Sequence, residues 1–524
     1  MSYTSYSYLL IFLGTVFICY TAVPKKFKWT VLLTASYVFY FLNSGKLIVF
    51  LLLSTLAVYF AGVFLNRIND TAALAKKGIE KEEKKQVKML VNWQKRAVVA
   101  LAVGFIFGIL LILKYSAFFA HSLNSAFGFL HLKELKFMLP LGISYYTLQA
   151  AGYIIDVYRG KYRASENFCK VALFLSFFPQ IVEGPIGRFD LLADSLYEGH
   201  SFDYDRLAKG VQLIFWGLFK KMVIADRLNI LVAQVFDAYN NYSGSIILLA
   251  GVLYTLQIYA EFSACMDIVT GSAEIFGVSL SKNFERPFFS KSVGEFWRRW
   301  HITLGAWLRD YVFYSVSLSK PFMKLSKFAK THFNEFLGSL VPALFAMFFT
   351  WFGIGFWHGA GWKYIVYGLY YYGIMMAGMY LEPLFQGAFS TLKIKRDSKV
   401  LNIFRIFRTV IIVVGGMMLF RADTVGAWGY MLKSIFTSFG AGGFLHTALS
   451  LGMDKQDFFI VAVGAALMLI ISILQEKGIR VRDSLARQKL PVRWSVYACL
   501  VMAVVIFGAY GQGYDAVDFI YGQF

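Results

Sequence analysis

The sequence predicts an all-α polytopic membrane protein, and three observations predict it. Of its 524 residues 58% are hydrophobic and only 16% are charged, with a mean hydropathy of +0.56; a soluble chain is about half apolar and about a quarter charged. Several apolar runs reach the ~20 residues that an α-helix needs to cross a bilayer. The 52 lysines and arginines, which leave a net charge of +21, sit mostly between those runs. That placement fits the positive-inside bias of membrane proteins better than nucleic-acid binding. A transmembrane β-barrel would show short alternating segments instead.

The apolar runs fall near residues 6–23, 29–43, 46–66, 97–120, 137–156, 168–187, 207–235, 245–277, 337–356, 360–382, 402–421, 455–475 and 494–512. The first lacks a basic n-region and a small-residue cleavage site, so it reads as a retained spanning helix rather than a signal peptide. The charged stretch 66–96, with "KKGIEKEEKKQVK", is too polar for lipid and reads as a solvated, helical cytoplasmic loop. Further basic connections are Lys25 to Lys28, "SKPFMKLSKFAK" (319–330), "KIKRDSK" (393–399) and "EKGIRVRDSLARQK" (476–489). Placing these inside puts both termini outside, with residues 513–524 as an extracellular tail. The runs between 157 and 336 are interrupted, which suggests re-entrant segments. Non-helical backbone is tolerated at membrane depth only where protein or water surrounds it. No internal repeat and no linker is evident, so residues 1–524 are expected to form a single membrane-embedded domain.

The four cysteines, Cys19, Cys169, Cys265 and Cys499, are far apart in sequence and form neither a metal spacing nor a disulfide framework. No metal site is expected. Among seven histidines, His121, His131, His200, His332 and His446 fall in loops or at run edges and read as ordinary surface residues. His301 and His358 differ. His358 lies in "GIGFWHGAGW" (353–362), between two strongly apolar runs, where four glycines permit a helix break and close backbone approach. An ionisable residue at membrane depth is costly and marks function by default. A histidine satisfied by a backbone carbonyl is the bland alternative.

An imidazole near neutral pKa is a natural general base. The chain has no G-x-S-x-G elbow, H-E-x-x-H motif or Walker A loop. The carboxylates Asp156, Glu183, Glu261 and Asp267 lie in apolar runs without a recognisable catalytic spacing. A base without its own nucleophile implies that the substrate supplies one, such as a hydroxyl, and so points to group transfer. His301 lies in "EFWRRWHITLGAWLRDYVFY" (295–314). At ~100° per residue, Trp300, Leu304, Trp307, Leu308 and Tyr311 form one stripe, with Arg298 and Arg309 beyond its edge and His301 on its shoulder. This predicts an interfacial or re-entrant amphipathic helix. A plain surface anchor would account for the Trp and Arg but not for the His.

The stretches "NFERPFFSKSVGEFWRRWHITLGAWLRDYVFY" and "GFWHGAGWKYIVYGLYYYG" resemble the signature of the membrane-bound O-acyltransferase (MBOAT) superfamily. They are most similar to its bacterial alginate O-acetyltransferase-like branch, and also to the D-alanyl transfer protein of teichoic acid synthesis. The resemblance extends through "LPLGISYYTLQAAGYIIDVYRG" (139–160), "SFFPQIVEGPIGRF" (176–189), "GLFKKMVIADRL" (217–228), "YTLQIYAEFSACMDIVTG" (254–271), "FRADTVGAWGYML" (420–432) and "FIYGQF" (519–524). It implies a ring of tilted transmembrane helices with re-entrant segments around a central tunnel. It also implies an O-acyltransferase of the bacterial cytoplasmic membrane with His358 as catalytic base and His301 as the second catalytic position. Trp297, Arg298, Trp300, Arg309 and Trp357 would then line the tunnel or its donor side.

The expected reaction carries an acyl group, acetyl in the first instance, from a cytoplasmic thioester to hydroxyls of an extracellular polysaccharide or cell-wall polymer. The donor, acetyl-CoA or an acyl-carrier protein, is a substrate, and no bound cofactor is expected. The outward, aromatic tail suggests that Tyr521 relays the acyl group or docks an extracytoplasmic partner acyltransferase; a plain interfacial anchor is the alternative. Two departures, Glu261-Phe262-Ser263 where the family often has D-F-S and Glu183 where it has a small residue, leave the acceptor unassigned. The alternative readings are D-alanyl transfer to teichoic acid and a transporter or flippase without covalent chemistry; the latter often has repeated halves.

Overall fold

Helix is the one regular element among the described residues, which are 1–75, 80–333, 335–391, 395, 398–510 and 519 of this computed structural model. Outside the helices the backbone pairs once as a bridge, antiparallel, between Phe284 and Trp300. Seven segments are long and apolar enough to cross a membrane: Lys25–Ala75, Lys81–Ala126, Gly244–Ile275, Leu340–His358, Lys399–Arg421, Lys455–Glu476 and Leu490–Phe507. Several other apolar runs are broken by a turn or a charged residue into shorter pieces. The chain separates into two compact units, Met1–Val211 with Val269–Ser281 and Gln212–Ile268 with Lys282–Phe524.

The first unit carries α1 (Leu13–Ala22), α2 (Lys28–Ser44), α3 (Ile48–Ala75), α4 (Lys81–Ala126), α5 (Ile143–Arg159), α6 (Phe168–Ser176) and α7 (Phe189–Tyr197). The charged stretch after residue 66 is helical on both sides, in α3 and α4. The apolar run 168–187 is helical only to Ser176, because Pro179 and Pro185 cannot continue a helix. The irregular backbone that follows is buried and satisfied by side chains. Gln180 donates to Gln149 Oε1 (3.0 Å) and to the Pro185 carbonyl (2.6 Å), while Gln149 donates to the Phe174 carbonyl. Gly142 opens α5 at φ +68°, and a Cβ there would collide with the Ile181 carbonyl.

The helix α8 (Tyr204–Leu218) leads into the second unit, where a π-helical turn at Phe219–Ala225 joins it to α9 (Asp226–Asp237). Next come α10 (Gly244–Ile275), α11 (Val293–Arg299), α12 (Ile302–Leu308), α13 (Tyr314–Ser317), α14 (Lys320–His332), α15 (Glu335–His358) and α16 (Trp362–Thr391). The unit ends with α17 (Lys399–Arg421), α18 (Val425–Thr437), α19 (Phe444–Leu449), α20 (Lys455–Glu476), α21 (Val481–Ala486) and α22 (Leu490–Phe507).

The π-helical turn carries Lys220 and Lys221, both buried, toward α10. Lys220 Nζ lies 2.7 Å from Asp267 and 2.7 Å from Ser263 Oγ. Lys221 Nζ lies 2.7 Å from Asp226 and 3.1 Å from Glu261. Arg227 pairs with Asp457 at the start of α20 and donates to the Phe507 carbonyl at the end of α22 (2.9 Å). Buried charges persist only when paired in this way.

Helices α15 and α16 cross on a glycine seam. A Cβ on Gly355 would strike the Tyr364 carbonyl, and one on Gly368 the Trp351 carbonyl. Small residues at such a seam let two backbones approach closely, and this approach fixes the end of α15, where His358 sits. Gly355→Val is expected to cost roughly 1–3 kcal/mol by overpacking, read as a lowered thermal midpoint of the detergent-solubilised protein. Gly373→Ala, inside α16 at a position with nothing within 4 Å of a Cβ, should not lower the midpoint and should raise it slightly, because Ala favours helix over Gly.

Candidate active site

The expected amphipathic helix 295–314 is interrupted at its centre. Helix α11 ends at Arg299, Trp300 is extended, and His301 turns left-handed (φ 48°, ψ 51°) before α12 begins. The apolar stripe is nonetheless real: Trp300, Leu304, Trp307, Leu308 and Tyr311 are all buried in the protein. The break arises from a pairing that helical periodicity does not reveal. The Glu285 N–H donates to the Arg299 carbonyl (2.9 Å), and the Ile302 N–H to the Asn283 carbonyl (3.0 Å). The segment just upstream of α11 thus folds back along its far end.

His301 and Arg286 are the two non-glycine residues with positive φ among the described residues. The left-handed conformation costs a non-glycine residue roughly 1–2 kcal/mol, and such outliers cluster at functional sites. His301 is 2% exposed. Its ring packs edge-on against Phe262 of α10 (centroids 4.9 Å) and against Trp357 of α15 (5.7 Å). Its Nδ1 lies 3.3 Å from Asn283 Oδ1.

His358 closes α15 at 4% exposure. Its imidazole meets the rings of Trp357 (5.1 Å), Phe420 (5.3 Å) and Tyr367 (5.9 Å), the last two edge-on. The turn after it is held close: a Cβ on Gly359 would enter the Tyr364 ring. Trp357 therefore touches both imidazoles, and the two histidines belong to one buried aromatic cluster. At His301 such a cage favours neutral imidazole, the form that accepts a proton.

The other expected site residues divide. Trp297 joins the cluster through Tyr367 (6.2 Å), Tyr371 (4.9 Å) and Trp351 (5.2 Å). Trp300 stacks on Phe296 (5.4 Å) and meets Phe284 edge-on (5.0 Å), which makes it core packing behind His301. Arg298 and Arg309 are exposed, and Arg309 pairs with its neighbour Asp310 (3.0 Å). Tyr521 lies outside the described residues. Reading the sequence alone missed Asn283, Phe262, Tyr367 and Phe420; "NFERPF" carries Asn283 in plain view, but its role depends on a tertiary contact. Among the described residues no three His, Cys, Asp or Glu side chains gather as metal ligands would.

Residues 163–420, which include both histidines and Asn283, match the model of the MBOAT, membrane-bound O-acyltransferase family. The probable alginate O-acetylase AlgI of Pseudomonas aeruginosa is 31% identical over 445 residues, covering 84% of this chain and 75% of that protein. The peptidoglycan O-acetyltransferase of Helicobacter pylori is 31% identical over 282 residues, 49% of this chain and 50% of that one. The teichoic acid D-alanyltransferase of Bacillus subtilis is 29% identical over 248 residues, 46% of this chain and 59% of that one. The chain belongs to the membrane-bound O-acyltransferase family. It is a multi-pass membrane O-acyltransferase.

Burial pushes the His301 imidazole from its ordinary value of 6.5 down to about 3. A histidine whose folded pKa is depressed stabilises the fold above its unfolded pKa and withdraws that stability as pH falls toward the folded value. The thermal midpoint should therefore drop as pH is lowered from about 6.5 toward 3, and drop less in His301→Gln; melts across that window compare the two slopes.

Proposed function

We propose that the protein transfers an acyl group, acetyl in the first instance, from a cytoplasmic thioester donor to hydroxyls of an extracellular polysaccharide or cell-wall polymer. The observation that carries this reading is the joint burial of His301 and His358 against Trp357. His358 takes the hydroxyl proton as the oxygen attacks the acyl carbonyl carbon. The C–S bond then breaks, and the proton ends on the leaving thiol. General-base assistance of this kind contributes about 10²–10⁴-fold. The donor is acetyl-CoA or an acyl-carrier protein. The enzyme sits in the bacterial cytoplasmic membrane with both termini outside and forms one acyltransferase domain. Arg298 and Arg309 serve the donor side, and an extracytoplasmic acyltransferase is the partner.

Tyr521 fits as acyl relay or partner dock, and one described residue supports this. Phe519, two positions earlier, is buried with its ring centroid 5.0 Å from Lys221 Nζ. Phe519 is thus held inside the second unit. The likeness to a teichoic acid D-alanyltransferase supports D-alanine as the second candidate for the transferred group.

His358→Ala should abolish esterification of the surface polymer while the protein remains in the membrane; full esterification in that variant would remove the mechanism. Mass analysis of the polymer distinguishes acetyl from D-alanyl esters. Tyr521→Phe keeps the ring and removes the hydroxyl, so a relay role predicts loss of polymer esters; unchanged esters would leave Tyr521 an anchor.

A further inference from the structure

We propose that Asn283 is a positioning residue that fixes both the tautomer and the aim of His301, holding the hydrogen on Nδ1 and the lone pair on Nε2. Asn283 is 3% exposed, and the orientation of its amide follows from chemistry. The Thr303 N–H, which can only donate, points at Oδ1 (3.0 Å), and the Thr303 hydroxyl donates to the same oxygen (2.9 Å). The amide nitrogen faces Met266 Sδ (3.1 Å), a weak acceptor. The atom opposite His301 Nδ1 at 3.3 Å is therefore an acceptor. A lone pair on Nδ1 would meet that oxygen repulsively, and a hydrogen on Nδ1 donates to it. Which nitrogen of a neutral imidazole is basic is set by the partner of the other.

The same residue fixes the backbone. The two amides that follow His301 both donate to Asn283, Ile302 N–H to its main-chain carbonyl and Thr303 N–H to its side chain. These two bonds hold the left-handed turn at His301. One asparagine thus sets the φ/ψ of His301 and, through Nδ1, the direction of its ring. Phe262 and Trp357 fill two sides of that ring.

The charged groups on the surrounding elements are mostly paired among themselves. On α10, Glu261 and Asp267 are held by Lys221 and Lys220. On α11, Arg299 pairs with Glu295 (2.8 Å) and Arg298 is exposed. On the Asn283 segment, Arg286 pairs with Glu285 (3.6 Å) and Glu476 (2.5 Å); Lys282 lies beside Asn283 in sequence. On α15, His358 meets Trp357. A neutral amide oxygen, rather than a carboxylate, faces Nδ1, which orients the ring without charging it.

The inference rests on the reading that His301 takes part in acyl transfer, and the test separates the two. Full-length protein labelled with ¹⁵N-histidine is reconstituted in bilayers and observed by solid-state NMR, with the His301 signals assigned by their loss in His301→Gln. The expected spectrum shows a protonated Nδ1 and a bare Nε2. Asn283→Leu should mix or invert the tautomers and lower polymer acylation roughly 10²-fold. Asn283→Asp keeps the acceptor oxygen and adds a charge. It should retain the Nδ1–H form and raise the protonation midpoint of His301 by about one unit or more. The acid limb of the transfer profile should move up with it. Should Asn283→Leu fail to accumulate, the wild-type spectrum and Asn283→Asp decide alone. An Nε2–H tautomer in the wild type, an unaltered tautomer in Asn283→Leu, or an unmoved midpoint in Asn283→Asp would each overturn the proposal. If His301→Gln transfers at the wild-type rate, the participation of His301 fails while the tautomer result stands.

Discussion

The constraint on which the structure depends is that buried backbone away from water must find its hydrogen-bond partners inside the protein. Helices meet it by themselves. At two buried departures from helix a side-chain amide completes the pairing. In the first unit Gln149 and Gln180 bond to each other and to the Phe174 and Pro185 carbonyls, supporting the turn through Glu183 and Gly184. In the second unit Asn283 receives the Ile302 and Thr303 amides and supports the turn at His301. An amide can donate and accept at once without bringing a charge, which suits it to a dry interior.

Charge enters the interior differently. The lysines of the π-helical turn would be prohibitive in lipid alone, and each is matched by a carboxylate on α9 or α10. Lys220 and Lys221 flank Phe262 indirectly, by holding Ser263 and Asp267 on one side and Glu261 on the other. Phe262 in turn packs against His301. The ionic pairs are thus part of what keeps α10 in register behind the imidazole.

How much of this is legible in the sequence follows from the range of the forces. Hydropathy is local, so the all-helical membrane class and the positions of the long helices can be read directly. Proline is local too: Pro179 and Pro185 announce the end of α6. His358 stands out because an ionisable residue between two apolar runs has no inexpensive explanation. The turn at His301 is hidden, because its cause is Asn283, eighteen residues upstream, and a projection onto one helix cannot see it. Glu261 and Asp267 stand out as carboxylates in an apolar run, yet their lysine partners lie about forty residues earlier. Arg298 and Arg309 stand out beside the stripe in the helical projection, and the structure leaves both exposed.

The π-helical turn at Phe219–Ala225 carries an implication about chain length rather than residue identity. Such a turn holds one residue more than the α-helix around it. Removing one of its residues other than the lysines would shift the register of those lysines against their carboxylates on α9 and α10 without altering any side chain in the pairs. The segment is therefore more vulnerable to a one-codon deletion than to most substitutions, and its spacing is itself part of the information that folds the protein.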